Sequence, residues 1–280
     1  MAERRYVPAR QVERGSTGED VQKLHAYLRK FGYFPNPALE AFGEWRPAVS
    51  EDVADPSVFD EVMEQAVLLY QDFNGLKADG VVGPKTIGLM GMRRCGNPDV
   101  VASSALAEFA VHGSRWSTTE LRYRFDNLGE DLSTKDVRVA LTEAMSQWSR
   151  VSPLTFTEVG ADAEAEIQIS WRTGDHDDGS PFDDGGAENR NVLAHCFFPP
   201  PGGGPFAGDC HFDEFEDWSV DTPPSGIDLL TVALHELGHG LGLLHSKVPS
   251  AIMFATYDGP RRELTQDDID GIVAIYGGSR

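Results

Sequence analysis

The chain has 280 residues, 40% of them hydrophobic, and its 24 Lys and Arg against 45 Asp and Glu give a net charge of −21. This length suits one large or two modest domains with real apolar cores, and the negative charge argues against nucleic acid or an anionic membrane as a partner. No apolar run is long enough to span a bilayer, and the first eight residues lack the apolar core of a signal peptide. Three cysteines are too few for a disulfide framework, and the odd count leaves at least one thiol unpaired.

The first third of the chain predicts a small helical domain. Residues 1–15 are charged and without periodicity, so we expect them to be disordered. Apolar residues at helical spacing predict a helix between Gly18 and Gly32, a second at 62–73 and a short third at 86–92. We take 16–92 as one domain.

A short motif around a cysteine follows this domain. It reads Arg93-Arg94-Cys95-Gly96-Asn97-Pro98-Asp99 and leads into small residues without a strong pattern. We interpret 93–108 as a linker that carries this motif, with the cleavage zone at 100–108. A thiolate is a strong zinc ligand, which makes Cys95 a candidate to bind a metal elsewhere in the chain. The alternative is a small buried cysteine.

Residues 109–280 predict a domain of mixed α and β structure. Strands are expected at 121–125, 154–159 and 167–171, with a helix capped by Ser133 between the first two. This order favours a twisted mixed sheet with a helix packed against it. A capped amphipathic helix is expected at 264–277.

The residues most typical of catalysis lie at 235–245, which read H-E-x-x-H-x-x-G-x-x-H. His235 and His239 are spaced to share one helix face, so their imidazoles can reach one Zn²⁺. Gly242 permits the turn that delivers His245 as a third ligand, and three ligands leave one position open. Glu236 lies beside the metal, where a general base must sit. The alternative is a buried helix with incidental histidines.

These motifs resemble a known family. The zinc motif with Met253, which can form an apolar floor under the imidazoles, resembles the metzincin metallopeptidases, and Ser246 after the third histidine is similar to the matrixins, the matrix metalloproteinases. The family usually has Tyr-Pro where this chain has Phe254-Ala255. Residues 93–99 resemble the matrixin cysteine switch P-R-C-G-x-P-D, with Arg93 in place of its first proline.

The first domain also carries a resemblance. Residues 78–86 read A-D-G-x-x-G-P-x-T, which resembles the peptidoglycan-binding-like domain that matrixins use as a pro-domain. Two functions of this domain stay open: inhibition of the catalytic domain, or binding of peptidoglycan or another glycan. The resemblance implies the fold class as a small all-α pro-domain before a metzincin catalytic domain with a twisted mixed five-stranded sheet and three helices.

The resemblance further implies a secreted zinc endopeptidase made as a latent zymogen. Cys95 would occupy the open zinc position until the pro-domain is removed, and Arg94 and Asp99 would pair to hold its loop. Protein or peptide substrates would add as a strand near 192–194. We expect a monomer inhibited by its own pro-domain. The alternative is a non-catalytic glycan-binding protein with a structural zinc domain, which should lack Glu236 or fill the fourth position without a thiol.

Further metal sites follow by resemblance. A structural zinc would use three histidines and one aspartate, and Ca²⁺ would use carboxylates in glycine-rich loops. The zinc ligands would be His176, Asp178, His195 and His211; the calcium ligands would be Asp183, Asp213 and Glu216 at one site and Glu166 and Asp209 at another. Cys196 follows His195 and Cys210 precedes His211, on two strands that we expect to be adjacent. A disulfide between them is possible, but spacing alone cannot fix its geometry.

Overall fold

The computed structural model describes residues 7–42, 45–99, 113–182, 192–222 and 224–279. Among these residues no helix combines the length and the apolar character that crossing a membrane requires.

The N-terminal part is helical, as expected. Its helices are α1 (Glu19–Lys30), α2 (Glu61–Phe73) and α3 (Pro84–Met90), and a 3₁₀ turn spans Pro37–Phe42. Helix α1 has acidic residues in its first turn and basic residues in its last, which favours its macrodipole. Asp60 caps α2 by accepting a hydrogen bond from the Met63 amide at 2.9 Å.

The expectation that residues 1–15 are disordered is wrong for 7–15. Val7 and Val12 are buried in the core of the helical domain, and Val12 forms a β-bridge with Val82. The Ala9 amide also donates to Asp20 at the start of α1. Two isolated valines in a charged segment give no periodic signal, although their burial is enough to hold the segment.

The second part of the chain contains a six-stranded sheet. Its strands are β1 (Arg94–Cys95), β2 (Glu120–Phe125), β3 (Thr155–Glu158), β4 (Ile167–Arg172), β5 (Val192–Cys196) and β6 (Asp209–Asp213), in the order β1-β5-β6-β4-β2-β3. All neighbours are parallel except β5 and β6. The C-terminal domain itself supplies the five expected strands β2 to β6. The sixth, β1, comes from the segment around Cys95.

Three helices accompany this sheet, again as expected. They are α4 (Thr134–Val151), α5 (Leu229–Gly240) and α6 (Gln266–Tyr276), and a two-stranded parallel sheet of β7 (Trp218–Ser219) and β8 (Ile227–Asp228) leads into α5. Helices α4 and α5 pack in one apolar core with the sheet. The Trp148 indole donates to the Leu234 carbonyl at 3.2 Å and so fixes α5 against α4.

The N-terminal helical part packs directly against the part of the chain that contains the six-stranded sheet. Phe42 is fully buried and stacks on Phe197 with ring centroids 4.7 Å apart. Leu39 and Trp45 join the same apolar cluster, which therefore closes the space between the two domains.

Candidate active site

Helix α5 brings two histidines to one face, and the chain after it delivers the third. His235 and His239 point their Nε2 atoms toward each other at 3.1 Å, and His245 approaches both with ring centroids at 5.2 and 4.8 Å. One ligand atom from each, together with the sulfur of Cys95, lies within 4.8 Å of all the others. The four groups enclose a common centre.

The turn after α5 depends on Gly242. This residue has a φ of +104°, a backbone conformation that side chains with a Cβ rarely adopt. A Cβ there would also lie 2.5 Å from the Ser114 carbonyl oxygen. The sharp reversal toward His245 is therefore possible only because position 242 carries no side chain.

A methionine turn supports the histidines from below. Met253 is buried. A Cβ added at Gly238 would lie only 2.3 Å from the Met253 sulfur, so helix α5 and the methionine turn are in close contact. The buried Asp268 accepts hydrogen bonds from the amides of Ile252 and Met253, both at 3.0 Å. This role of Asp268 could not be predicted from the sequence, because Ile252 and Met253 lie outside the helix that carries Asp268.

Hydrogen bonds at Nδ1 orient the imidazoles. His235 contacts the Ile252 carbonyl and His239 the Leu243 carbonyl, both at 2.7 Å. Because a carbonyl oxygen only accepts, Nδ1 carries the proton in both rings and Nε2 keeps a free lone pair. Burial lowers the pKa of His235 to about 3 and also lowers the pKa of His245. The rings of His235 and His245 are thus neutral, which is the form that binds metal.

Cys95 faces this group of imidazoles. Its sulfur lies 3.5 Å from the Glu236 carboxylate and accepts a hydrogen bond from the Asn97 amide at 3.3 Å. Burial, and next the negative charge of Glu236, raise the pKa of the Cys95 thiol well above its usual value. A thiolate here needs a compensating cation, and the three imidazoles are arranged to hold one.

Glu236 is buried at the same centre. Burial raises the pKa of its carboxyl to about 8. Among the described residues, its Oε1 and the Nε2 of His245 are buried without a hydrogen-bond partner. Buried polar atoms are rarely left unsatisfied, so this donor set fits a zinc ion that would take the lone pair of His245.

The segment around Cys95 lies in a cleft with hydrogen bonds on both sides. On one side the Gly96 amide donates to the Ala194 carbonyl of β5 at 2.8 Å. On the other side the Cys95 amide donates to Ala255, and the Tyr257 amide donates to Arg93. The segment thereby occupies the sheet edge at 192–194 where we expect an extended substrate.

The loop around Cys95 is held by one ion pair and by the side chain of an asparagine. Arg94 and Asp99 form an ion pair in which both side chains are fully buried. Asn97 donates to the Cys196 carbonyl at 2.8 Å and accepts from its amide. This role of Asn97 could not be predicted from the sequence, since a single asparagine in a loop carries no signal of a partner as distant as Cys196.

A cavity of about 30 Å³ adjoins Cys95 and Glu236. Leu193, Val232 and Ile252 line it together with polar residues that include Thr231 and Arg261. Phe254 and Ala255, where this chain departs from Tyr-Pro, are also part of its wall. A pocket of mixed polarity beside the metal centre can receive one substrate side chain.

The second predicted metal cluster also comes together. Asp178 Oδ2 lies 2.9 Å from His176 Nε2, 2.7 Å from His195 Nε2 and 2.9 Å from His211 Nδ1. Burial opposes the charge of Asp178, but its contacts with the three histidines hold the pKa of the carboxyl below its ordinary value. Four ligand atoms around one point match a closed tetrahedral zinc site.

The predicted calcium residues are only partly described. Asp183 lies outside the described residues, whereas Asp213 and Glu216 are fully buried. Glu216 lies 3.0 Å from the guanidinium of Arg93, which stands in the place of the family's proline. Glu216 therefore already has a cationic partner, and a calcium ion bound to it would have to replace that partner.

The second predicted calcium pair is less complete. Glu166 is held by Arg122 at 2.7 Å, and this contact lowers the pKa of the Glu166 carboxyl. Asp209 accepts from the Gln168 side chain at 2.7 Å, and burial raises the pKa of Asp209 to about 7. In the described part of the chain no hydrogen bond joins Glu166 to Asp209.

The structure shows which cysteines are paired. Cys196 and Cys210 form a disulfide between directly paired positions of β5 and β6, next to the paired His195 and His211. Cys95 is left as the free, buried cysteine.

Comparison with known proteins gives two family matches. A family model described as Matrixin matches residues 115–277, which is more than half of the chain, and one described as Putative peptidoglycan binding domain matches residues 17–90.

Individual relatives cover similar ranges. Interstitial collagenase of Sus scrofa is 47% identical over 212 residues, covering 75% of this chain and 42% of that protein. Karilysin of Tannerella forsythia is 44% identical over 60% of this chain and 34% of its own length. Hatching enzyme of Paracentrotus lividus is 36% identical over 95% of this chain and 40% of its own length. The chain therefore spans less than half the length of each of these relatives.

Proposed function

The chain belongs to the matrixin family, and we propose on that basis that it is a zinc-dependent endopeptidase, made as a latent zymogen, that cleaves extracellular proteins. The observation that carries this proposal is the convergence of three imidazoles, a buried carboxyl and a buried thiol on one centre. A purely structural site would have no use for Glu236 at that place.

The chemistry follows from the placement of the side chains. Zinc held by His235, His239 and His245 would supply Lewis acidity toward the scissile carbonyl. Glu236 would take the proton of the attacking water and deliver it to the leaving amine. The pocket beside Glu236 would hold the substrate side chain next to the cleaved bond.

Latency would come from the segment at 93–99. The Cys95 sulfur would take the fourth position on the metal, beside Glu236, and so exclude the attacking water from that position. The same segment fills the β5 edge at 192–194, so substrate cannot pair there either. Cleavage in the zone up to residue 108 would release both blocks together, and an extended substrate would then take the vacated edge.

The remaining metal sites would be structural. His176, Asp178, His195 and His211 would hold a second zinc. Asp213 and Glu216, together with Asp183, would hold a calcium, and Glu166 with Asp209 would need a rearrangement of Arg122 to hold another. These ions would stiffen the loops around the β5 edge.

The N-terminal domain would act as an inhibitory pro-domain in a monomeric protein. Its buried contacts with the catalytic domain, including Phe42 on Phe197, support this role. Its match to a peptidoglycan-binding model favours a second role, in which the domain also binds a glycan wall. Sedimentation of residues 7–92, which include the buried Val7 and Val12, with purified peptidoglycan tests the second role.

The direct test is mass spectrometry of a mixed peptide library incubated with the zinc-loaded full chain. We expect little cleavage before treatment with a thiol-modifying reagent and endoproteolytic cleavage after it. The Glu236→Ala variant is the matched control and should leave the library intact. Equal cleavage by that variant, or none by the treated wild type, would overturn the proposal.

A further inference from the structure

The three histidines at the metal centre have different Nδ1 partners. His235 and His239 donate to neutral backbone carbonyls, at Ile252 and Leu243, that belong to the catalytic domain. His245 instead contacts the carboxylate of Asp99, with 3.1 Å between Nδ1 and Oδ1. Asp99 lies before the expected cleavage zone, so it leaves with the pro-domain while the other two partners stay.

Asp99 is held rigidly for this contact. Its side chain and those of Arg94 and His245 are all fully buried. Oδ1 is shared between Arg94 and His245, whereas Oδ2 accepts from the Tyr33 hydroxyl at 3.1 Å and from Arg94 Nη1 at 3.3 Å. The Asp99 amide donates to the Phe31 carbonyl of the pro-domain at 3.0 Å. The carboxylate can thus hardly turn away from His245.

We propose that Asp99 is a positioning residue of the latent metal centre: its carboxylate fixes the ring of His245 and strengthens it as a ligand, so that the pro-segment holds the metal through two residues. This rests on the proposed function. A carboxylate that accepts from Nδ1–H keeps the proton there, leaves the Nε2 lone pair for the metal and makes it more basic.

The consequence concerns activation. Removal of the pro-segment would take the sulfur from the fourth position and, in the same event, the anion from His245. The latent protein should therefore retain its metal better than a form whose His245 has lost this partner. Loss of such an outer partner typically weakens metal affinity about 10–100-fold.

The test uses the zinc-loaded full chain in excess chelator. Asp99→Asn is close to Asp in shape but removes the charge that faces both His245 and Arg94. Exposure of the Cys95 thiol is therefore the readout that separates loss of the His245 contact from loosening of the loop. Tyr33→Phe is the matched control, because it removes a hydrogen bond to Oδ2 of the same carboxylate without touching Oδ1. Zinc release is followed with a metal indicator, and exposure of the Cys95 thiol is followed in parallel.

We expect one zinc to leave Asp99→Asn about 10–100-fold faster than wild type, and Tyr33→Phe to behave like wild type. Wild-type retention by Asp99→Asn would overturn the role. So would equal acceleration in both variants, or thiol exposure well ahead of zinc release, since either would mean that Asp99 only packs the loop. If wild type holds no zinc on these histidines, the proposed function falls as well, and no variant shows release.

A spectroscopic measurement on wild-type protein keeps the proposal testable if Asp99→Asn does not fold. The Nδ1–H proton of His245 should resonate downfield of those of His235 and His239, because a carboxylate is a stronger acceptor than a carbonyl. Proteolytic removal of the pro-domain should move the His245 resonance upfield, and by more than those of His235 and His239, which lose only the sulfur from the shared metal. Three equivalent resonances, or an unchanged His245, would contradict the contact.

Discussion

The sulfur of Cys95 lies 3.5 Å from the carboxylate of Glu236, although 141 residues separate them in sequence. The sulfur stands where a water molecule would have to meet its base, and its backbone is fixed by hydrogen bonds to Ala194 and Ala255 on either side. Under the proposed function, inhibition and catalysis would therefore compete for one small space.

Replacing the sulfur should release the block. In the full chain, Cys95→Ser should show spontaneous peptide hydrolysis or self-cleavage within 93–108, because a neutral hydroxyl is a much poorer zinc ligand than a thiolate. Hydrolysis of a fluorogenic peptide and a gel of the purified protein measure both. Wild type treated with a thiol reagent is the positive control, and a variant as latent as untreated wild type would contradict the switch.

Removing the base should separate metal binding from turnover. Glu236→Ala should keep its zinc content but lose peptide hydrolysis by at least about 10²–10⁴-fold, the usual contribution of a general acid–base group. Metal analysis measures the zinc content, and the rate of peptide hydrolysis by the activated protein measures turnover. Turnover close to that of wild type would reject the mechanism, and loss of zinc would show that Glu236 serves the site instead.

The disulfide should contribute to stability. Cys196→Ala with Cys210→Ala opens a loop whose ends are 14 residues apart, and we expect the free energy of unfolding to fall by about 2–4 kcal/mol. Chemical denaturation followed by tryptophan fluorescence measures this change. An unchanged unfolding midpoint would mean that strand pairing alone holds β5 to β6.

Weakening the domain contact should make the switch easier to open. Phe42→Ala removes a fully buried ring from between the domains. A loss near 3 kcal/mol, the low end for such truncations, would raise the opened population up to about 100-fold. The reaction rate of Cys95 with a thiol reagent reports this population. Leu69→Ala, at a position 42% exposed on α2, is the control and should leave the rate unchanged.

Local patterns predicted the parts of the site that lie close together in sequence. The offsets of His235, His239 and His245 depend on one helix and one turn, and the φ of Gly242 agrees with the turn that the motif requires. Helical periodicity likewise predicted α1 and α2, and the cap at Ser133 predicted the start of α4. Such features are set by neighbours within a few residues.

Features that depend on distant partners could not be predicted. The contact of Asp99 with His245 spans 146 residues, and the contact of Arg93 with Glu216 joins the switch to a buried carboxylate of another loop. The pairing of β1 with β5, and the burial of Val7 and Val12, depend in the same way on tertiary packing. A single sequence has no periodic signal for any of them.

The central claim, that a metal held by three histidines is blocked by Cys95, is tested most directly by diffraction from crystals of the zinc-loaded full chain at the zinc absorption edge. We predict an anomalous peak among the Nε2 atoms of His235, His239 and His245, with the Cys95 sulfur at about 2.3 Å as the fourth ligand. No peak among these imidazoles, or a peak with water in place of the sulfur, would contradict the account.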